Sequence, residues 1–446
     1  MEDINLSPEQ LRPAVLGRMD LPSPLGLSER DGDFIANYVK DSDTVVLLQD
    51  RAGIEACVAA GRPLPAFVKA GPRNRIFFRP EKTRAAIVTC GGLCPGINNV
   101  IRALVMELHY RYGVRTIKGI QYGYRGFIEA NGLPTVDLTP ELVKGIHEMG
   151  GSFLGSSRGP QDTAAIVDWL EKNGISILFT IGGDGTLRGA EDIYREAVRR
   201  RLALAVVGVP KTIDNDIVYV EKTFGLETAF AVAAEAIRSA HTEAVGAPNG
   251  IGLVKVMGRY SGFIAANAAL ALNEVTFVLI PEVPFDLEGP DGFLPVLKKR
   301  IQAKHHAVII VAEGAGQELC QRAAQRTDQS GNTKLADVGL LLKHEIAGYF
   351  KAQGVECNLK YIDPSYLVRS VAAHANDAIY CIQLAQHAVH AGMAGYTGIV
   401  VGRWNGQFTY VPLALANSGR KFISPDGELW RTVLEATGQP YRMKNG

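Results

Sequence analysis

From about Arg84 onward, short β-branched apolar runs alternate with longer stretches whose apolar residues recur at helical spacing. The runs are Ala85–Cys90, Ile175–Ile181, Leu204–Val209, Ile251–Met257, Thr276–Ile280, Ala307–Ala312 and Gly398–Gly402. None shows the apolar/polar alternation of a half-solvated strand, which predicts fully buried parallel strands. Asn98–Tyr110, Asp162–Lys172, Thr186–Arg201 and Thr228–Glu243 carry helical patterns between them. Strand alternating with helix predicts right-handed βαβ units and an α/β fold of doubly wound, mostly parallel sheets. Ligands of such sheets bind at the carboxyl ends of the strands, so the strand exits are the places to look for chemistry.

The first 83 residues differ. They are rich in Pro, Gly, Asp and Ser and offer only two short strand candidates, Thr44–Leu48 and Ile76–Phe78. We read them as an extension that wraps the core or joins a subunit contact. Gln325–Lys334 reads as a solvent-exposed insertion.

Composition narrows the function. Lys plus Arg number 47 and Asp plus Glu 46, a formal charge of +1, which disfavours a nucleic-acid protein held by phosphate neutralisation. The 48 glycines in 446 residues make about 11%, against a usual value of about 7%. Glycine serves where a backbone turns with positive φ or approaches a ligand closely, so the excess points to ligand-gripping loops. Six cysteines, Cys57, Cys90, Cys94, Cys320, Cys357 and Cys381, are too sparse for a disulfide framework, and no His cluster completes a zinc site beside Cys90 and Cys94. No apolar run reaches the roughly 18 residues of a membrane span. The N-terminus lacks signal-peptide character, and we expect a cytoplasmic enzyme.

Several strand exits carry reactive groups. Ile175–Ile181 opens into Gly182-Gly183-Asp184-Gly185-Thr186 and then a helix. Such a turn presents backbone N–H groups and a helix dipole to phosphate. A carboxylate there repels phosphate unless a cation intervenes, which makes Asp184 a candidate Mg²⁺ ligand; a tight turn with Asp as helix cap is the plainer alternative. A second glycine turn, Cys90–Asn99, matches neither a dinucleotide fingerprint nor a Walker A loop. A third, Gly150–Gly159, adds hydroxyls and Arg158. Together the three resemble a phosphate cradle. Leu204–Val209 ends in Pro210-Lys211-Thr212-Ile213-Asp214-Asn215-Asp216, whose carboxylates beside a lysine suit proton abstraction and charge neutralisation. If extended, this segment aims Thr212, Asp214 and Asp216 the same way; an Asx-rich loop is the alternative. Met257-Gly258-Arg259-Tyr260-Ser261-Gly262 supplies an arginine for an anion, and Glu313-Gly314 a carboxylate for sugar hydroxyls.

In order and spacing, the Gly-Gly loop with Pro95-Gly96-Ile97-Asn98, then Gly182–Thr186, Thr212–Asp216 and Met257–Arg259, resemble the phosphofructokinase family over roughly Ala85 to Trp430. With Ala70-Gly71-Pro72-Arg73 and Phe77-Phe78, the chain looks closest to the long ATP-dependent clade of plants, trypanosomatids and some bacteria. The resemblance implies transfer of the γ-phosphoryl group of Mg-ATP to the 1-hydroxyl of fructose 6-phosphate. It implies Asp214 as general base, with Thr212 and Ile213 at the sugar. Arg259 and Lys211 offset developing charge, Met257 and Gly258 line the sugar, and Glu313 grips its hydroxyls. Gly92, Arg158, Gly159, Gly183, Asp184, Gly185 and Thr186 bind ATP, with Asp184 on Mg²⁺. Tyr366-Leu367-Val368-Arg369 stands where the short bacterial form has His-Ile-Gln-Arg at the sugar phosphate. Two arginine positions that the short form takes from a neighbouring subunit fall on Gly250 and Lys360; Lys360 can still meet a phosphate, whereas Gly250 cannot. A homodimer or homotetramer is implied. So is a division into an extension (1–83), a nucleotide-binding lobe (84–225, completed by 370–430) and a fructose 6-phosphate-binding lobe (226–369, completed by 431–446).

Two positions bear on the phosphoryl donor. Pyrophosphate-dependent relatives have Asp where this chain has Gly185, and Lys where it has Lys211. An Asp at 185 would crowd and repel the ATP α-phosphate, and the long ATP clade keeps the lysine, so ATP is the expected donor and pyrophosphate the alternative. A dinucleotide oxidoreductase would need the missing fingerprint. A silent sugar-phosphate sensor would be expected to have lost Asp184, Asp214 or Arg259. NAD and lipid kinases share only the Gly-Gly-Asp-Gly element.

Overall fold

The computed structural model describes residues 6–320 and 335–446; the expected insertion Gln325–Lys334 lies outside the described residues. The chain forms two compact units. Unit 1 takes the residues up to Thr212, Ile217–Gly225 and Val371–Arg420; unit 2 takes Ile213–Asp216, Leu226–Ser370 and Lys421–Gly446.

Unit 1 is built on a nine-stranded sheet in the order Thr44–Val46, Ala66–Lys69, Gln407–Pro412, Ile399–Trp404, Ala205–Pro210, Ile177–Gly182, Arg84–Thr89, Thr116–Ile120, Thr135–Asp137. The five strands from Ile399–Trp404 to Thr116–Ile120 are parallel, and antiparallel strands extend both edges. The central runs are buried along their length because both faces are covered. Ala86, Val88, Leu178 and Val206 join the core cluster of Ile166, Leu187 and Ile193, from helices Thr163–Lys172 and Asp184–Arg199. Ile177 and Phe179 face the other way, against Gly392 of helix Ala375–Ala394. This is the doubly wound arrangement expected from the sequence. Each expected run occurs as a parallel strand, while helix Asn98–Tyr110 is observed as Ile97–Met106 running into a π-helical turn, Glu107–Tyr112.

Register decides where the loops fall. Pro210 pairs with Gly182 and Thr89 with Ile181. Three strands therefore end level, and Cys90, Gly183 and Lys211 emerge side by side.

The N-terminal segment belongs to the sheet as well as wrapping it. Arg73 is 2% exposed, donating to Asp41 Oδ1 at 2.9 Å and to the carbonyls of Gly71 and Lys69 at 3.0 and 2.8 Å. Its guanidinium lies over the Tyr396 and Tyr410 rings. A buried cation is tolerable only when paired and hydrogen-bonded in this way.

Unit 2 carries a four-stranded, wholly parallel sheet in the order Phe277–Leu279, His306–Ala312, Gly250–Val256, Asn358–Ile362. Its core packs Leu253, Phe277 and Ile309 against Phe293 and Leu297 of helix Phe293–Lys304 and Leu342, Ile346 and Phe350 of helix Val338–Ala352. Val256 pairs with Ala312, so two strand exits again emerge level. The return of the chain into this unit begins at Lys421, ten residues before the boundary read from the sequence. Among the described residues no helix is long and apolar enough to cross a membrane.

Candidate active site

In unit 1 the three glycine-rich turns converge. Gly91 donates its N–H to the Ser157 carbonyl at 2.9 Å, and Ser156 Oγ donates to the Gly91 carbonyl at 2.7 Å. Thr89 Oγ1 donates to the Gly155 carbonyl at 2.6 Å and lies 2.9 Å from the Ser152 hydroxyl. Lys211 closes the set. Its backbone N–H reaches the Gly182 carbonyl at 3.0 Å, and its buried Nζ donates to the Gly92 carbonyl at 2.6 Å. A cationic group is thus held against the Cys90–Asn99 turn by the exit of a different strand. Gly159 has φ +91°, a conformation that glycine adopts without strain, while neighbouring Arg158 is exposed with no ion-pair partner among the described residues.

The Gly-Gly-Asp-Gly turn is tighter than the sequence reading implied. Helix Asp184–Arg199 begins at Asp184 itself, with Gly183 as its N-cap, so the acid sits in the first turn where a helix dipole favours it. A Cβ on Gly182 would lie 2.0 Å from Thr186 Oγ1, which makes that glycine a packing requirement. Gly185 is the opposite: a Cβ there meets nothing within 4 Å. The protein leaves space at 185 that it does not itself fill.

Asp184 is about a quarter exposed and accepts from Arg188 Nε and Arg420 Nη2, each at 2.8 Å. Among the described residues no group of three or more His, Cys, Asp or Glu could cage a metal. A single accessible carboxylate fits Mg²⁺, which keeps waters and takes its other ligands from a nucleotide's phosphates.

In unit 2 the expected residues gather at the level ends of Gly250–Val256 and His306–Ala312. Glu313 N–H donates to the Val256 carbonyl and Gly314 N–H to the Gly258 carbonyl, at 2.9 and 3.0 Å. Gly258 has φ +129°, and a Cβ on Gly314 would stand 1.9 Å from the Arg259 carbonyl, so the two turns interlock through glycine. Ser261 Oγ donates to the Asp214 carbonyl at 2.7 Å, tying the base loop to the arginine loop. Burial pushes the Glu313 carboxyl up, against the opposing pull of Arg259, Lys255 and Arg369, so all three cations lie within electrostatic reach of it. Arg369 stacks over the Tyr366 ring with its guanidinium 4.8 Å from the centroid, and Tyr366 is itself exposed.

One expectation needs adjustment. The segment Thr212–Asp216 is not a continued strand: Asn215 adopts φ +52°, a left-handed conformation that Asn tolerates. The alternation survives only in burial, with Ile213 and Asn215 buried and Thr212, Asp214 and Asp216 half-buried. Lys360 does not join its own chain's cluster. It pairs with Gly252, four residues and ~13 Å short of the strand end at Val256, and is exposed. At Gly250 a Cβ would fall 2.0 Å from the Ala244 carbonyl, so a larger residue there requires the backbone to move.

Sequence reading missed a supporting triad. Lys255 Nζ is salt-bridged to Asp337 Oδ2 at 2.9 Å and Asp363 Oδ2 at 2.8 Å. Burial works against its charge, but the hydrogen bonds it donates to both carboxylates hold its pKa above the ordinary lysine value. The signal was a lone lysine inside the apolar run Ile251–Met257. Glu282 was also missed; its Oε1 accepts the N–H of Gly262 and of Ile423, both at 3.0 Å, and it lines a cavity of about 550 Å³ with Arg259 and Tyr260.

Parallel strands that end level in glycine turns, with a lysine, an accessible aspartate and arginines at the exits, define an α/β enzyme shaped for phosphorylated ligands. The chain belongs to the phosphofructokinase family, whose model, described as Phosphofructokinase, matches residues 84–392. It is 50% identical over 383 residues to an ATP-dependent 6-phosphofructokinase of Borreliella burgdorferi, covering 84% of this chain and 86% of that one. It is 46% identical to an ATP-dependent 6-phosphofructokinase of Amycolatopsis methanolica, covering 97% and 95%, and 48% identical to ATP-dependent 6-phosphofructokinase 4, chloroplastic, of Arabidopsis thaliana, covering 84% and 71%. The family and fold expected from the sequence are borne out. Among solved structures, a pyrophosphate-dependent phosphofructokinase from Marinobacter aquaeolei shares the fold with a TM-score of 0.65 at 19% identity, covering 80% of this chain and 91% of that one.

Proposed function

We propose that this chain transfers the γ-phosphoryl group of ATP to the 1-hydroxyl of fructose 6-phosphate, giving fructose 1,6-bisphosphate and ADP. It is a phosphotransferase with an alcohol acceptor. Asp214 takes the hydroxyl proton as the sugar oxygen bonds to the γ-phosphorus and the bond to the β,γ-bridging oxygen breaks. Arg259 and Lys211 offset the charge spread over the transferred group, in keeping with a reaction that depends on positioning and electrostatics. The converged turns carrying Gly92, Arg158, Gly159 and Gly183–Thr186 would hold the nucleotide. Thr212, Ile213, Met257, Gly258 and Glu313 would hold the sugar, and Tyr366 and Arg369 its phosphate. Asp184 would hold Mg²⁺, which when bound neutralises phosphate charge. Lys360, exposed and away from its own chain's cluster, suits a homodimer or homotetramer in which it serves a neighbouring subunit.

The observation that carries ATP over pyrophosphate is the open space beside Gly185. Packing does not demand glycine there, and relatives 46% and 50% identical to this chain over 97% and 84% of its length are named ATP-dependent. A coupled aldolase assay with each donor tests the reading. Turnover with Mg-ATP well above that with pyrophosphate is expected, and the reverse order overturns it.

A further inference from the structure

The carboxylate assigned to the metal is engaged on both oxygens. Arg188, one turn along the same helix, donates Nε to Asp184 Oδ1, and Arg420 donates Nη2 to Oδ2. The two arginines differ. Arg188 is 59% exposed, whereas Arg420 is 25% exposed, close to the 26% of Asp184 itself. Arg420 is also delivered by built structure: Asn417 Nδ2 donates to the Leu187 carbonyl at 3.2 Å and to Glu191 Oε2 at 2.8 Å, pinning the preceding chain to the helix that Asp184 begins.

We propose that Arg420 is a specificity-determining residue for the metal: its ion pair with Asp184 excludes free divalent cations, so that Mg²⁺ is accepted only together with nucleotide. This rests on Asp184 being the metal carboxylate. A free aqueous cation offers the site one carboxylate bond, and forming it leaves a partly shielded guanidinium beside a divalent charge. A cation carried by a nucleotide arrives with phosphate oxygens, which guanidinium binds at least as well as carboxylate. The exchange of partners is then nearly balanced, and the metal is admitted. Arg188, being more solvated, contributes less to the exclusion.

The test uses Mn²⁺ with the full chain. Free-ion electron paramagnetic resonance measures uptake without nucleotide, and water-proton relaxation enhancement measures uptake with ATP. Wild type is expected to bind Mn²⁺ weakly without nucleotide. Arg420→Gln should raise that nucleotide-free affinity by up to about fivefold, the upper end of what one partly exposed ion pair contributes. Arg188→Gln should raise it less, and adding Asp184→Asn to Arg420→Gln should remove the gain. Arg420→Lys, which keeps charge but loses the planar fork, should give an intermediate rise and serves if the glutamine variant does not fold. Unchanged nucleotide-free affinity in a folded Arg420 variant overturns the proposal. An Asp184→Asn protein that still takes up Mn²⁺ with ATP overturns instead the metal reading of Asp184.

Discussion

Replacing Gly185 by Asp separates what the fold needs from what the donor needs. Position 185 is the second residue of helix Asp184–Arg199, and a Cβ there meets nothing within 4 Å. The variant should therefore fold normally. A first-turn carboxylate gains roughly 0.3–1 kcal/mol from the helix dipole, and Asp is about 0.3 kcal/mol better than Gly inside a helix, so the melting temperature should hold or rise. The donor should respond in the opposite sense. A carboxylate about 5 Å from a phosphate charge, at an effective dielectric of about 20, is repelled by about 3 kcal/mol before screening. Allowing for salt and a bound cation, about 2–3 kcal/mol remains, or roughly 30- to 150-fold in kcat/KM for ATP. Gly185→Ala adds the Cβ without the charge and should stay within about threefold of wild type, since the space is open. The assay is the aldolase-coupled rate at varied ATP and saturating fructose 6-phosphate, beside a thermal melt of each variant. Unchanged ATP kinetics in a normally folded Gly185→Asp protein would refute the reasoning, because the open space would then have nothing to do with the nucleotide.

Three further outcomes follow from the same geometry. Asp214→Ser should lower kcat by about a hundredfold or more with little change in melting temperature, the usual order for losing a general base; near-normal kcat would move that role elsewhere. Burial raises the Glu313 pKa, so its carboxylate protonates above the usual Glu range as pH falls. The KM for fructose 6-phosphate should then rise towards acid pH, and Glu313→Gln, with a KM already raised at neutral pH, should lose that part of the pH dependence; an identical profile in the variant removes Glu313 from sugar binding. His387, half-buried near Arg73, has its pKa lowered from 6.5 to about 4 by desolvation first and by the Arg73 charge second. A depressed histidine pKa contributes stability that is present above 6.5 and is lost as pH falls to about 4, here about 3 kcal/mol, so the melting temperature should drop across that window. A His387→Gln variant should show a shallower drop, and an equally steep one would assign the acid sensitivity to other groups.

The central strands and the chemistry at their ends were legible in the chain because each run is apolar throughout and opens into glycine or a charged motif. Arg84–Thr89 and Ile177–Gly182 need no partner sequence to be recognised. Towards the sheet edges legibility was partial: Thr44–Leu48 and Thr276–Ile280 were read as strands, and others were not. Thr116–Ile120 and Asn358–Ile362 carry a lysine within five residues, and Ala66–Lys69 is four residues long, so neither period nor length marks them. Pairing with a neighbour, which no local pattern reports, makes them strands. The same holds for long-range side-chain partners. Arg73 reads as an exposed base until Tyr396 and Tyr410, more than 300 positions away, enclose it. Lys255 looks misplaced in its strand until Asp337 and Asp363 arrive from two other segments. The left-handed Asn215 shows the limit from the other side: its residue type permits the turn, but only the fold demands it.

The most direct test of the account is a ³¹P nuclear magnetic resonance time course of the purified enzyme with fructose 6-phosphate, Mg²⁺ and ATP, repeated with pyrophosphate. The account predicts that the γ-phosphate resonance of ATP is lost as ADP and a new sugar 1-phosphate resonance appear in equal amounts, with far slower turnover from pyrophosphate. Orthophosphate released without sugar phosphorylation, or faster transfer from pyrophosphate than from ATP, would contradict it.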